Sequence, residues 1–272
     1  MATDGLTFVV WPLIVVVLGV ALVSANRPPS TKDLSTHSHR QLIGYAGLVL
    51  PLALPLIAQL RPTQGLDFAA LDSVSSYYYT GAVAFFTGAL VALAAFLFTY
   101  RGYDNRYSLY DRIAGFVGGG AAIGVAVFPT EAPNLSLAPS WWVALTGQIH
   151  YGSAIVLFMT FACFALFLFP KTDPDKPKPS KKNPLPRDKR LRNGFYISCG
   201  VIMVACMIWA AIAKNNGKSI YWPETIALVA FALSWLVKGR FEWTLASIGK
   251  STWHYTRNPG QLVNKIRHPK AG

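Results

Sequence analysis

The sequence predicts an all-α polytopic membrane protein, a bundle of seven transmembrane helices with its N-terminus outside and its C-terminus in the cytoplasm. Hydrophobic residues make up 53% of the 272 residues and charged residues only 14%, compared with roughly 25% charged residues in soluble domains. Seven apolar stretches recur along the chain, each close to the length of about 20 residues that a helix needs to cross a bilayer. Basic residues are concentrated in alternate connections between these stretches.

The seven predicted spans cover residues 6–23, 42–60, 78–100, 113–128, 151–169, 195–213 and 223–237. The first follows an acidic residue, Asp4, and is expected to be a retained anchor rather than a cleaved signal, because a signal peptide begins with basic residues. The second contains Pro51 and Pro55. Proline removes a helical hydrogen bond, so these two residues predict a kink in the second span.

The fourth predicted span carries two pairs of glycines spaced four residues apart, Gly115 with Gly119 and Gly120 with Gly124. Residues at this spacing share one face of a helix, and small residues there allow neighbouring membrane helices to approach closely. The pattern favours a packing surface, with a hinge or a substrate groove as the alternative.

The charges of the connections predict the orientation. The first, third and fifth connections, together with the C-terminal tail, hold 22 of the 25 Lys and Arg residues, whereas the opposite side holds only Arg61, Lys214 and Lys218. Because cytoplasmic loops are enriched in Lys and Arg, the side with 22 basic residues is predicted to be cytoplasmic. The net charge of +13 is therefore expected to serve contact with anionic lipid headgroups, and no nucleic-acid partner is expected.

The predicted spans and their connections form one transmembrane domain over residues 1–239, followed by a basic cytoplasmic tail over residues 240–272. In this tail the segment RFEWTLASIGK spaces Phe241, Leu245 and Ile248 as on one face of a helix. This spacing predicts a short helix lying on the cytoplasmic leaflet. An ordinary solvated tail is the alternative.

Five polar residues near the outer ends of the predicted spans are the candidate ligand-binding residues: Asp72, Ser75, Tyr79, His150 and Glu224. Ionisable residues in membrane segments often mark a site, so we expect an outward-facing pocket, with His150 as a proton acceptor, metal ligand or hydrogen-bond anchor. Structural roles remain open for all five. Asp72, Ser75 and Glu224 can stabilise helix N-termini, Tyr79 can belong to an aromatic belt, and His150 can pair with a tyrosine or water.

The segments SVSSYYYTGAVAFFTGALVALAAFLFTYRGYD (residues 73–104) and AGFVGGGAAIGVAVFPT (residues 114–130) resemble an uncharacterised family of bacterial multi-pass membrane proteins, a domain of unknown function. The resemblance covers most of the chain from residue 70 to 239. It implies a seven-helix protein of the bacterial inner (plasma) membrane and supplies no activity. Typical family members carry a histidine where this chain has Tyr79, and a charged pair near Val83 and Ala84 that this chain lacks.

Two better-understood seven-helix groups do not fit these residues. A retinal protein needs a lysine within its last span, whereas here Lys238 only follows that span. Zinc hydrolases of the ceramidase type use Ser-x3-His and His-x3-His elements, and this chain has Ser75 followed by Tyr79, with His150 as the only histidine near the outer end of a span. The sequence therefore predicts no metal site and no cofactor.

These observations predict a non-enzymatic protein that binds or senses a lipid or small ligand from the outer face, or supports a complex with another membrane protein or a second copy. The alternative from another class is a membrane-embedded lipid hydrolase or transferase that uses His150 with Asp72 or Glu224. A small-solute or proton transporter is third. Transporters favour acidic residues near the bilayer midplane, and the second, third, fifth and sixth predicted spans have none there.

Overall fold

A computed structural model of the chain describes residues 31–62, 71–100, 102, 107–133, 137–171 and 186–241. This part of the chain is helical and contains no strand, so the all-α prediction is confirmed. The six α-helices are α1 (Thr31–Leu60), α2 (Val83–Phe98), α3 (Ser108–Val127), α4 (Ala144–Cys163), α5 (Arg187–Asn215) and α6 (Tyr221–Lys238). The first predicted span, at 6–23, and the predicted interfacial helix beyond Phe241 lie outside the described residues.

The six helices coincide with the second to seventh predicted spans. Within the described residues, three segments are long and apolar enough to cross a membrane, His37–Leu60, Ala144–Leu168 and Arg187–Asn215, while Val83–Phe98 is a shorter apolar helix. Length and composition are thus those of a helical membrane protein. Helices α1 and α5 begin well before their apolar stretches, because backbone hydrogen bonding continues into polar sequence. Helix α2 is shorter than predicted, since residues Ser75–Tyr79 form a separate 3-10 turn.

Each helix packs against the next one along the chain, and α6 returns to pack along α1, which closes the bundle. Aromatic side chains fill its interior. Phe161 of α4 stacks on Phe231 of α6 with ring centroids 3.6 Å apart, and Trp235 of α6 is fully buried. Aromatic rings bury a large apolar area with defined geometry, so this stack holds α4 and α6 together across the bundle.

Glycines of α3 let it approach both of its neighbours. A methyl group at Gly115 would lie 2.5 Å from the Leu97 carbonyl oxygen of α2, and one at Gly119 would lie 2.8 Å from a ring carbon of α2. A methyl group at Gly124 would collide with α4, whereas one at Gly120 would meet nothing within 4 Å. The packing interpretation is confirmed at three of the four glycines, and Gly120 lies on the exposed side of α3.

The two prolines of the second predicted span lie inside α1, which runs as a single helix from Thr31 to Leu60. Pro55 has no N–H to donate to the carbonyl of Pro51 one turn earlier. The Tyr221 hydroxyl, at the start of α6, donates to that carbonyl over 3.2 Å. The acceptor freed by one helix is therefore satisfied by another, and this contact ties α1 to α6.

Helices α4 and α5 lie close together at only one end. Helix α4 continues into a π-helical turn, Phe164–Leu168, and Leu166 of this turn packs against Gly200 of α5, where a methyl group would approach a Leu166 methyl carbon to 2.6 Å. Toward the start of α4 and the end of α5, the helices leave a cleft between them. This cleft is the candidate functional site.

Candidate functional site

The cleft lies between the middle of α4, the last turns of α5 and the start of α6, and has a volume of about 690 Å³. Its polar end includes Tyr151, Lys214 and Glu224, one residue from each helix, with Asn215 next to Lys214. About two turns deeper, roughly 10 Å along the helix axes, the walls are apolar and include Phe158 of α4 and Met207 of α5. The cleft is therefore amphipathic, with its polar groups at the end where α4 begins.

Lys214 is held at the mouth of the cleft by an aromatic side chain. Its Nζ donates to Tyr151 Oη over 2.5 Å and lies 3.9 Å from the centroid of the Tyr151 ring. A cation near an aromatic face is stabilised by the negative potential of the ring. Lys214 itself is exposed, so the contact fixes the direction of a long side chain without removing its charge from water.

The Tyr151 hydroxyl is the centre of this polar end. Besides the hydrogen bond from Lys214, its oxygen accepts one from Thr130 Oγ1 over 3.0 Å. A phenol oxygen that accepts two hydrogen bonds retains its own O–H as a donor. The Tyr151 O–H and the Lys214 ammonium therefore form a pair of donors beside the open volume of the cleft.

Glu224 lies in the first turn of α6, is half-buried and lines the cleft. Its Oε2 accepts a hydrogen bond from the Val74 amide over 2.7 Å. An acid at this position also interacts favourably with the positive end of the helix dipole. The carboxyl group thus joins the segment before the 3-10 turn to α6 and lies at the polar end of the cleft.

Tyr79 and His150 act as anchors for the segment that follows α3. Each carbonyl of residues 128–130 accepts a hydrogen bond from a side chain: Phe128 from His150 Nδ1 (2.6 Å), Pro129 from Trp142 Nε1 (3.3 Å) and Thr130 from Tyr79 Oη (2.6 Å). Because a carbonyl only accepts, the His150 ring carries its proton on Nδ1. His150 is 2% exposed and Tyr79 is 8% exposed, and neither residue lines the cleft.

Asp72 and Ser75 also lie away from the cleft. The Asp72 side chain is exposed, while its backbone carbonyl accepts hydrogen bonds from the Ile220 amide (2.7 Å) and the Ser219 hydroxyl (3.2 Å). Ser75 is buried at the start of the 3-10 turn. In the same turn, burial raises the pKa of Tyr77 to about 12, with the neighbouring Tyr221 adding to the shift. The turn is therefore an uncharged, packed element.

Of the five residues proposed from the sequence, the structure brings Glu224 to the cleft. Tyr79, His150 and the backbone of Asp72 lie in the surrounding hydrogen-bond network, and Ser75 is buried in the 3-10 turn. Lys214 and Tyr151 complete the polar end, and the sequence reasoning did not name them as site residues. A signal for Lys214 was present, since it is one of only three basic residues on the predicted outer side. Tyr151 gave no such signal, because its position depends on the rotation of α4.

The chemistry that this arrangement supports is binding. Within the described ranges, no group of three or more His, Cys, Asp or Glu side chains is placed to hold a metal ion. Comparison of the chain with protein-family models, with curated proteins and with solved structures finds no match. In the cleft, an ammonium, a hydroxyl and a carboxyl group lie at one end of an apolar volume.

Proposed function

We propose that this protein is a seven-span integral membrane protein, with its N-terminus outside, that binds an amphipathic lipid or a similar small ligand in the cleft between α4, α5 and α6. The observation that carries the proposal is the division of the cleft into a polar end and apolar walls. Ligand pockets have volumes of about 300–1,000 Å³ and are mostly apolar with a few placed polar groups. A cleft of about 690 Å³ fits that description.

The position of the polar end matches the depth of a lipid headgroup. Tyr151 begins the fifth predicted span, Glu224 lies at the start of the seventh and Lys214 follows the sixth. In the proposed orientation all three lie at the outer boundary of the bilayer, where amphipathic and charged side chains meet the headgroup layer. The apolar walls then lie at the depth of the hydrocarbon chains, so a lipid can enter from the side without leaving the membrane.

The proposed topology rests on the distribution of 22 of the 25 basic residues on one side. Fusing a reporter enzyme after Gly272 tests it. We expect a cytoplasmic reporter to be active there and a reporter that works only outside the cytoplasm to be inactive. The reverse pattern would overturn the orientation.

Blocking the cleft tests the binding function. Ala211 lines the cleft on α5, and Ala211→Trp should fill much of its volume. Ile212→Trp is the matched control, because Ile212 is 57% exposed and lies outside the cleft lining. Native mass spectrometry of protein extracted in mild detergent should detect an amphiphile on the wild type and on Ile212→Trp, and much less on Ala211→Trp. Equal occupancy of both variants would refute the proposal.

The alternative of a lipid hydrolase or transferase would need His150 at the ligand. Because the His150 ring is buried and bonded to the Phe128 carbonyl outside the cleft, ligand binding remains our leading proposal. A complex with another membrane protein or a second copy stays a prediction. The mass of the extracted protein by light scattering tests it.

A further inference from the structure

Resting on this proposed function, we infer that the ligand is a single-chain amphiphile with an anionic phosphate or carboxylate head, bound by Lys214 and Tyr151 at the mouth of the cleft. Different parts of the cleft select the head and the chain of the ligand. Lys214 and Tyr151 define what we call the donor pair, and the walls that include Phe158 and Met207 define the chain site.

The donor pair selects an anion. Lys214 Nζ donates to a neutral hydroxyl, Tyr151 Oη, so this hydrogen bond does not neutralise the ammonium, which also interacts electrostatically with Glu224 at the same end of the cleft. An ammonium has three N–H donors, and the bond to Tyr151 uses one. The Tyr151 oxygen accepts from Lys214 and from Thr130, which leaves its own O–H as a donor. A phosphate or carboxylate oxygen can accept from both groups in charge-assisted hydrogen bonds, the stronger kind.

Glu224 lines the same end of the cleft, and one oxygen of its carboxyl group already accepts the Val74 amide. The donors lie on α4 and α5, so an anionic head fits on that side of the polar end, against the donor pair. A hydroxyl or ammonium elsewhere on the head could approach Glu224 favourably.

The chain site selects one acyl chain. A water-sized group occupies about 30 Å³, so a volume of about 690 Å³ holds on the order of 20 non-hydrogen atoms. One long acyl chain and part of its head match this number. The cleft therefore has room for one chain, and a second chain would have to lie outside it. The polar end lies roughly 10 Å from the apolar walls along the helices, which aligns the chain with the bundle.

The test is a titration of the purified full chain in an uncharged detergent. The probes are hexadecyl phosphate, hexadecanoate, hexadecyl trimethylammonium, an uncharged hexadecyl glycoside and inorganic phosphate, with the dissociation constants measured by calorimetry. We expect the two anionic amphiphiles to bind at least about tenfold more tightly than the uncharged one, since a hydrogen bond to a charged group contributes enough for a tenfold change in affinity. The cationic probe and inorganic phosphate should bind most weakly.

Substitutions then assign the preference to the donor pair. Lys214→Gln should remove the roughly tenfold preference for hexadecyl phosphate, and Lys214→Arg should largely keep it because the charge remains. Tyr151→Phe should weaken binding by a smaller factor, since the ring stays beside Lys214. Lys218→Gln is the matched control, because Lys218 is also exposed on the outer turn but lies outside the cleft lining, and it should bind like the wild type.

The outcomes separate this inference from the proposed function. If the uncharged glycoside binds as tightly as hexadecyl phosphate, or Lys214→Gln keeps the preference, the anionic head is refuted while amphiphile binding stands. If no amphiphile binds at all, the proposed function falls as well. If inorganic phosphate binds as tightly as hexadecyl phosphate, the inference that the chain site binds an acyl chain is refuted. If cysteines placed at Ala211 and within residues 6–23 form a disulfide, a segment of this chain occupies the cleft. That result would refute the inference that a lipid binds there.

Discussion

Replacing Gly115 by alanine would test the close contact between α3 and α2. The new methyl group would lie 2.5 Å from the Leu97 carbonyl oxygen, a main-chain atom that cannot move without shifting α2. Gly120→Ala is the matched control five residues later on the same helix, where a methyl group meets nothing within 4 Å. Both changes gain the same helix propensity, up to about 1 kcal/mol, so comparing them isolates the cost of the collision.

Overpacking of this kind costs about 1–3 kcal/mol. The two variants should therefore differ by that amount, with Gly115→Ala at or below the wild type and Gly120→Ala at or above it. At about 2–4 °C per kcal/mol, the unfolding midpoints should differ by several degrees in scanning fluorimetry of the detergent-solubilised protein. A midpoint of Gly115→Ala equal to that of Gly120→Ala would refute the proposed contact between the helices.

Three further predictions concern buried polar residues around the cleft. Tyr79→Phe removes a buried donor to the segment after α3 and should lower the unfolding free energy by about 1–3 kcal/mol. Tyr78→Phe, at a half-buried ring, should change the unfolding free energy by less than about 0.5 kcal/mol. Urea or SDS titration measures both variants. Glu224→Leu removes the acceptor of the Val74 amide and should destabilise the protein by a similar amount, while Glu224→Gln, which keeps an acceptor oxygen, should lose less; equal losses would contradict this role. Because the pKa of Tyr77 is raised to about 12 from 10.0, the unfolded chain loses this proton first and stability should fall as the pH rises above about 10. Tyr77→Phe should make that fall shallower in melts between about pH 9 and 11, and an unchanged slope would count against it.

Apolar stretches were sufficient to predict the six described helices, because a segment in lipid must satisfy its own backbone hydrogen bonds and therefore forms a helix. The ends of the helices were less predictable. Helix α3 begins at Ser108, five residues before the apolar stretch, because helix formation continues through Asp111 and Arg112. The 3-10 turn Ser75–Tyr79 could not be read from hydropathy, because its tyrosines are packed by neighbouring helices.

The candidate site was also predictable only in part. From the sequence alone, Asp72, Tyr79, His150 and Glu224 shared a predicted side of the membrane, and this grouping is set by topology. Their individual roles were not predictable, because the partners are far away in the chain: Tyr79 bonds a carbonyl 51 residues later, and Glu224 bonds an amide 150 residues earlier. Such pairings depend on the order and rotation of the helices.

The sequence by itself determined that this chain is helical, that it is apolar enough for a membrane, and where its polar residues are rare. These properties follow from composition and local periodicity, which each segment has independently of its tertiary contacts. Only the tertiary structure decided that Lys214, Tyr151 and Glu224 meet at one end of an apolar cleft. The physical reason is that a cleft is a space between helices, and its lining is set by how α4, α5 and α6 pack rather than by any one of them.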